Sequence, residues 1–183
     1  PILPLQILFL TLVTDVFPAL ALGVGEGDAL VMRRPPRDPQ ESVLTGRHWR
    51  DLAVFGALIT AATLGALGLA LGWLGLDERR AVTVSFLTLA AAQLWHVFNM
   101  RDRDAGVVRN EITRNPWVWG ALVPCIGLLA AALGVPGLAR VLHTAWPGTG
   151  GLLVALGMSL VPLPLGQLYL ALTGGMSDAD RES

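Results

Sequence analysis

Apolar residues fall into five long blocks along the chain, and nearly every charge lies between them. The blocks cover Ile2–Gly25, Leu52–Leu76, Ala81–Met100, Trp117–Leu138 and Gly150–Thr173. Each is close to the ~20 residues that a helix needs to cross about 30 Å of hydrocarbon. Asp15 is the one Asp, Glu, Lys or Arg inside any block. Helices that are apolar all round are membrane spans or fully buried, and five buried helices do not fit a single domain of 183 residues. The pattern therefore predicts an all-α fold, a polytopic membrane helix bundle of about five transmembrane helices. The bundle is expected over residues 1–173, with a polar, disordered tail over 174–183.

Composition agrees, since 53% of residues are hydrophobic and only 15% charged, against about a quarter in soluble domains. Charge also sets an orientation. Arg33, Arg34, Arg37, Arg47 and Arg50 follow the first block, and Arg101, Arg103, Arg109 and Arg114 follow the third, whereas the opposite side holds Arg79, Arg80 and Arg140. Positive loops stay in the cytoplasm, so the first span runs inward and the C-terminus is expected to be cytoplasmic. Trp49, Trp73, Trp117, Trp119 and Trp146 lie near predicted span ends, where indole rings sit at headgroup level. The net charge of −1 gives no support for nucleic acid as a partner. Cys125 stands alone in an apolar block and reads as a small buried residue. Pro1 opens directly on apolar sequence with no basic n-region, so the sequence is expected to begin inside a longer protein.

Asp15 carries the main chemical signal. A carboxylate inside a span costs about 2.5–3.5 kcal/mol on insertion scales and usually faces an ion, a partner or water. Thr11, Thr14 and Asp15 stand at i, i+3 and i+4 on one helical face. Pro18 has no N–H, so an α-helix leaves the carbonyl of Thr14 without its partner. Such an oxygen set suits a hard cation; the alternative is a snorkelling Asp15 and a simple proline kink. In the third block Ser85, Thr88, Ala92, His96 and Asn99 share an arc with Gln93 at its edge, a pattern that fits interhelical hydrogen bonding as well as a site. Ala61, Gly65, Gly68 and Gly72 form a stripe expected to pack against a neighbouring helix. Pro162 and Pro164 predict a kink in the fifth span. Arg33–Arg37, with Pro35 and Pro36 between, is a stiff basic segment suited to anionic headgroups or a cytoplasmic domain.

The run Leu5-Gln6-Ile7-Leu8, Leu12-Val13-Thr14-Asp15 and Pro18-Ala19-Leu20-Ala21-Leu22-Gly23, followed by Met32-Arg33-Arg34-Pro35-Pro36-Arg37, resembles cation-transporting P-type ATPases. The likeness is to the sixth membrane span and the loop after it, in the calcium, sodium–potassium and proton-exchanging branch. The other blocks fit spans seven to ten of that family in length, topology and charge sidedness. The resemblance implies that the sixth span unwinds at its Asp and supplies cation ligands, which carries over to Thr14 and Asp15. Thr11 stands where calcium pumps often have Asn, and Gln93 falls at the eighth-span ligand position.

The resemblance further implies the C-terminal membrane portion of an ATP-driven pump, in the plasma (inner) membrane. The transported cation is left open among calcium, magnesium, manganese, sodium and protons, and a single-cation site is favoured over two calcium sites. The family's phosphorylation motif Asp-Lys-Thr-Gly, its Thr-Gly-Glu-Ser motif and its Gly-Asp-Gly-x-Asn-Asp hinge do not occur in this sequence. ATP and its magnesium are therefore expected only in the missing N-terminal part of the pump. That part and the lipid bilayer are the expected partners, and this chain alone is expected to hold no cofactor and hydrolyse nothing. Two alternatives stand beside this: a non-enzymatic membrane scaffold or subunit derived from a pump, and a small transporter using Asp15 for protons.

Overall fold

The structure, a computed structural model, describes residues 4–24, 46–97 and 116–179. Within them the chain is helical. The first span comprises α1 (Pro4–Thr11), a π-helical turn (Leu12–Val16) and α2 (Phe17–Val24). Then come α3 (Gly46–Gly72), α4 (Glu78–His96), α5 (Pro116–Gly134), the short α6 (Pro136–Val141), α7 (Gly148–Leu160) and α8 (Pro162–Ala179). The helix of α8 continues past Gly174, into the segment expected to be a disordered tail. Asn99, the Arg33–Arg37 segment and the loop from Arg101 to Asn115 lie outside the described residues.

Local chemistry sets the breaks. Asp77 caps α4, its carboxylate accepting from the Arg80 N–H at 3.4 Å and pairing with the Arg80 side chain at 3.2 Å. Val135, which precedes Pro136, is extended (φ −92°, ψ 112°) because a proline disfavours helical geometry in the residue before it. Pro136 then opens α6, where its absent N–H costs nothing. α7 stops at Leu160 and α8 starts at Pro162, the interruption expected from Pro162 and Pro164.

Four stretches among the described residues are long and apolar enough to cross a bilayer: Pro4–Ala21, His48–Gly72, Pro116–Gly134 and Gly148–Leu170. α4 is not among them. It is the bundle's central helix, packed by α3, α7, α8, α5 and the π turn. Val84, Phe86, Ala90 and Leu94 are buried in its core, and Thr83, Ser85 and Thr88 are buried with them. A helix shielded from lipid by its neighbours has no need of a fully apolar surface, which is why α4 carries so many hydroxyls. These hydroxyls are satisfied within the bundle: Thr88 Oγ1 donates back to the Val84 carbonyl of its own helix at 2.8 Å, and Ser85 Oγ reaches across to the Thr63 carbonyl of α3 at 3.4 Å.

The outward surface is apolar in the manner of a lipid-facing bundle. Leu64, Leu71, Val123, Ile126, Leu153 and Leu168 are exposed. Trp49, Trp73, Trp117 and Trp146 are exposed at or beside helix ends. The small-residue contact on α3 differs from expectation by about one position. Ala62, Ala66 and Ala70 are buried, whereas Ala61, Gly68 and Gly72 are exposed and only Gly65 of the expected stripe meets another helix, at Met158.

At the end of the bundle opposite the arginine-rich loops, the connection from α6 to α7 is clasped by side chains from three directions. Successive carbonyls of Leu142, His143 and Thr144 accept from Gln6 Nε2 (2.8 Å), Arg79 Nε (3.3 Å) and Arg79 Nη2 (3.1 Å). Thr144 Oγ1 donates to the Ala132 carbonyl, and the Ala145 N–H donates to Thr83 Oγ1 at 3.0 Å. His143 is held at φ 53°, in the left-handed region that a non-glycine residue enters only when its surroundings hold it there. Gln6 is completely buried, so its bond fastens the N-terminal part of the first span to the rest of the bundle.

Candidate cation site

The first span changes helical type where its polar residues lie. In α1 and α2 the ladder is the ordinary i→i+4 one; over Leu12–Val16 it widens to i→i+5. Short π turns of this kind occur often at functional sites. Pro18 accounts for the distortion, since its ring and missing N–H disrupt the regular ladder. The change of register also brings in a second carbonyl. In an i→i+4 ladder the carbonyl facing Pro18 is Thr14's, as expected from sequence; in an i→i+5 ladder it is Val13's. The Val13 carbonyl accepts instead from Cys125 Sγ of α5 at 3.0 Å. Cys125, read from sequence as merely apolar, is thus a hydrogen-bond donor to the turn.

The turn places Thr14 and Asp15 together. Thr14 is buried, and its Oγ1 lies 3.0 Å from both the Leu10 carbonyl and Asp15 Oδ1. A hydroxyl has one proton to donate, so these two acceptors compete for it. When the proton goes to Leu10, the Thr14 oxygen and the Asp15 carboxylate both present lone pairs. Thr11 is exposed one turn earlier, its hydroxyl donating back to the Ile7 carbonyl at 3.2 Å, which likewise leaves its lone pairs free. Asp15 itself is exposed on the surface of this chain. Its depth is mid-span, so that exposure opens toward lipid or toward another membrane segment.

Gln93 stands on the neighbouring helix. The rings of Phe9 and Phe86 meet at 6.1 Å, while Ala21 shares a buried cluster with Val97 and Val118. The first span and α4 therefore run in the same direction. Phe86, Ala90, Gln93 and Val97 follow one another at helical spacing along one α4 stripe. Gln93 falls between the two contact levels, near the depth of the π turn. Its Oε1 is buried without a hydrogen-bond partner, a cost that a cation, a donor or a water would relieve. The structure thus joins Thr14 to Asp15 directly, sets Thr11 one turn away, and brings Gln93 to their level on the next helix. Among the described residues no three His, Cys, Asp or Glu side chains converge. The oxygens here come from one carboxylate, hydroxyls and an amide, a hard and weakly charged set.

Residues 1–172 match the family described as cation transporting ATPase, C-terminus. The chain belongs to this family. Among relatives of this cation-ATPase C-terminal region, the calcium-transporting ATPase of Bacillus subtilis (strain 168) is 35% identical over 162 residues, covering 88% of this chain and 18% of that protein. Calcium-transporting ATPase 1 of Bacillus cereus is 28% identical over 184 residues, 92% of this chain and 20% of its own length. A plasma membrane-type calcium-transporting ATPase 7 of Oryza sativa subsp. japonica is 27% identical over 166 residues, 91% of this chain and 16% of its own. The chain therefore spans at most 20% of the length of these relatives. As a P-type cation ATPase C-terminal region with four membrane-crossing stretches, it is a multi-pass membrane protein.

Proposed function

We propose that this chain forms one wall of the intramembrane cation site of an ATP-driven pump in the calcium, sodium–potassium and proton-exchanging branch, with calcium as the first ion to test. The observation that carries this reading is the π turn that sets Thr14 Oγ1 3.0 Å from Asp15 Oδ1. Asp15 supplies the charge that draws a cation into the span. Thr14 adds an oxygen once its proton turns to the Leu10 carbonyl. Thr11 and the unpartnered Gln93 Oε1 extend the set. The relatives' description as calcium-transporting ATPases supports calcium, while the single carboxylate suits one bound cation rather than two.

In this reading the remaining ligands, the ATP site and its magnesium belong to the rest of the pump, and this chain hydrolyses nothing by itself. The exposed face bearing Thr11 and Asp15 is where the other spans close the site. Its membrane is the plasma (inner) membrane, α4 crosses it as the third of five spans, and the C-terminus lies in the cytoplasm, on the side of the arginine-rich loops. The test is phosphoenzyme formation from ATP by the full-length pump, ion by ion, in wild type and Asp15→Asn. Cation-dependent phosphorylation that disappears in the variant supports the reading. An Asp15→Asn pump with unchanged cation dependence removes Asp15, and with it the proposed site.

A further inference from the structure

Val13 is completely buried, so water does not reach its carbonyl, and in the π ladder the backbone position opposite it is Pro18, which has no N–H. A buried acceptor left without a donor costs about 1–3 kcal/mol. The Cys125 thiol, itself completely buried, meets that carbonyl at 3.0 Å from a residue 112 positions away in sequence. We infer that Cys125 is a positioning residue for the cation site: its S–H bond to the Val13 carbonyl favours the widened turn over a regular helix and so fixes the orientation of Thr14 and Asp15. This rests on the reading of those two residues as cation ligands given under Proposed function. The thiol neither touches the ion nor reacts.

The leverage is geometric. Successive residues of an α-helix are about 100° apart, so an extra residue in one turn rotates everything on one side of it by roughly that angle. Returning to i→i+4 spacing would pair the Val13 carbonyl with the Phe17 N–H and turn Thr11 and Asp15 relative to each other. The Val13 carbonyl needs the thiol only in the widened form. Cys125 therefore stabilises one register selectively, and Val13, next to Thr14 in the chain, transmits that choice to the ligands. Apolar packing alone would make no such distinction between registers.

The test compares Cys125→Ala, which removes the donor, with Cys125→Ser, which keeps one, in the full-length pump. The readouts are the cation concentration for half-maximal phosphoenzyme formation and the maximal phosphoenzyme level. Loss of the donor is expected to raise the half-saturating concentration by about three- to tenfold, the range set by a single hydrogen bond. Cys125→Ser is expected within about twofold of wild type, and both variants keep their maximal level. Should Cys125→Ala fail to fold, Cys125→Thr and Cys125→Val provide the same comparison as near-isosteres with and without a donor. Serine equal to or worse than alanine, or a loss of yield and thermostability with half-saturation unchanged, would overturn the inference. Asp15→Asn, measured alongside, separates the two claims. If that variant keeps its cation dependence the site reading fails; if it loses it while Cys125→Ala matches wild type, only the role of Cys125 fails.

Discussion

One added methyl group, placed at Gly151, Gly65 or Gly68, meets three different surroundings. At Gly151 of α7 a Cβ would stand 2.7 Å from Pro147 Cβ and 3.1 Å from Val84 Cγ2 of α4. Favourable carbon contacts lie near 3.5–4.0 Å, so both are too short. Pro147 is a fully buried ring that caps α7 itself, and Val84 is a fully buried branched side chain of α4; neither can swing aside, so the first turn of α7 must distort and shift away from α4. Overpacking of this kind costs about 1–3 kcal/mol, offset by about 0.5–1 kcal/mol from replacing a helical glycine by alanine. At Gly65 the obstacle is Met158 Cε, also at 2.7 Å, but that is the free end of a flexible thioether and can turn away. At Gly68 nothing lies within 4 Å, so the alanine gain stands unopposed. The expected order of stability is Gly68→Ala at or above wild type, Gly65→Ala close to it, and Gly151→Ala below by about 1–2 kcal/mol. The spread of roughly 2 kcal/mol corresponds to about 4–8 °C in melting temperature for a unit of this size. Detergent-solubilised protein followed by helical circular dichroism on heating reads it out. A Gly151→Ala protein that melts with wild type, or a Gly65→Ala protein that falls as far as Gly151→Ala, would refute the packing described here for α7, within its first turn and against α4 and α3.

Gln6→Leu keeps most of the side-chain volume but leaves the Leu142 carbonyl without its 2.8 Å donor; a loss of about 1–2 kcal/mol is expected in the same melting assay, and no loss would mean that the clasp on the α6–α7 connection is not formed in the solubilised protein. Tyr169→Phe removes the hydroxyl that donates to Asp51 Oδ1 at 2.8 Å between α8 and α3. A destabilisation of about 0.5–1.5 kcal/mol is expected, and it should vanish when Asp51→Ala, which removes the acceptor, is already present if the two residues act as a pair.

The parts of this fold that follow from local chemistry were legible in the sequence. The apolar blocks and the interruption at Pro162 follow from residues within a few positions of one another. What depended on distant partners was not legible. The packing stripe of α3 is an example: Ala61-Ala62 and Gly65-Ala66 put small residues at adjacent phases, so sequence alone cannot say which phase meets a neighbour. The structure selects Ala62, Ala66 and Ala70. The π turn is another. Pro18 announces a disturbed ladder, but nothing near it in sequence announces the thiol 112 residues away that bonds the Val13 carbonyl. α4 shows the converse. Its hydroxyls look like a candidate site when read along one helix, and turn out to be bonded within the bundle, with Gln93 left as the residue whose buried oxygen has no partner.

The first span is tied to the rest of the bundle along its described length. Its N-terminal half is held by the Gln6 bond to Leu142 and by the Phe9–Phe86 contact, and its middle by the Cys125 bond to Val13. Beyond the π turn, Ala21 packs with Val97 and Val118 against α4 and α5. Thr14 and Asp15 stand between these levels. The same face carries a carboxylate whose exposure to hydrocarbon would cost about 2.5–3.5 kcal/mol, and Leu5, Leu8, Leu12 and Leu20 are exposed along the same span. On the proposed reading, closing further spans over this surface removes both penalties together. Covering the apolar residues and completing the coordination of Asp15 are then a single event, so assembly of the bundle and formation of the site depend on the same contacts.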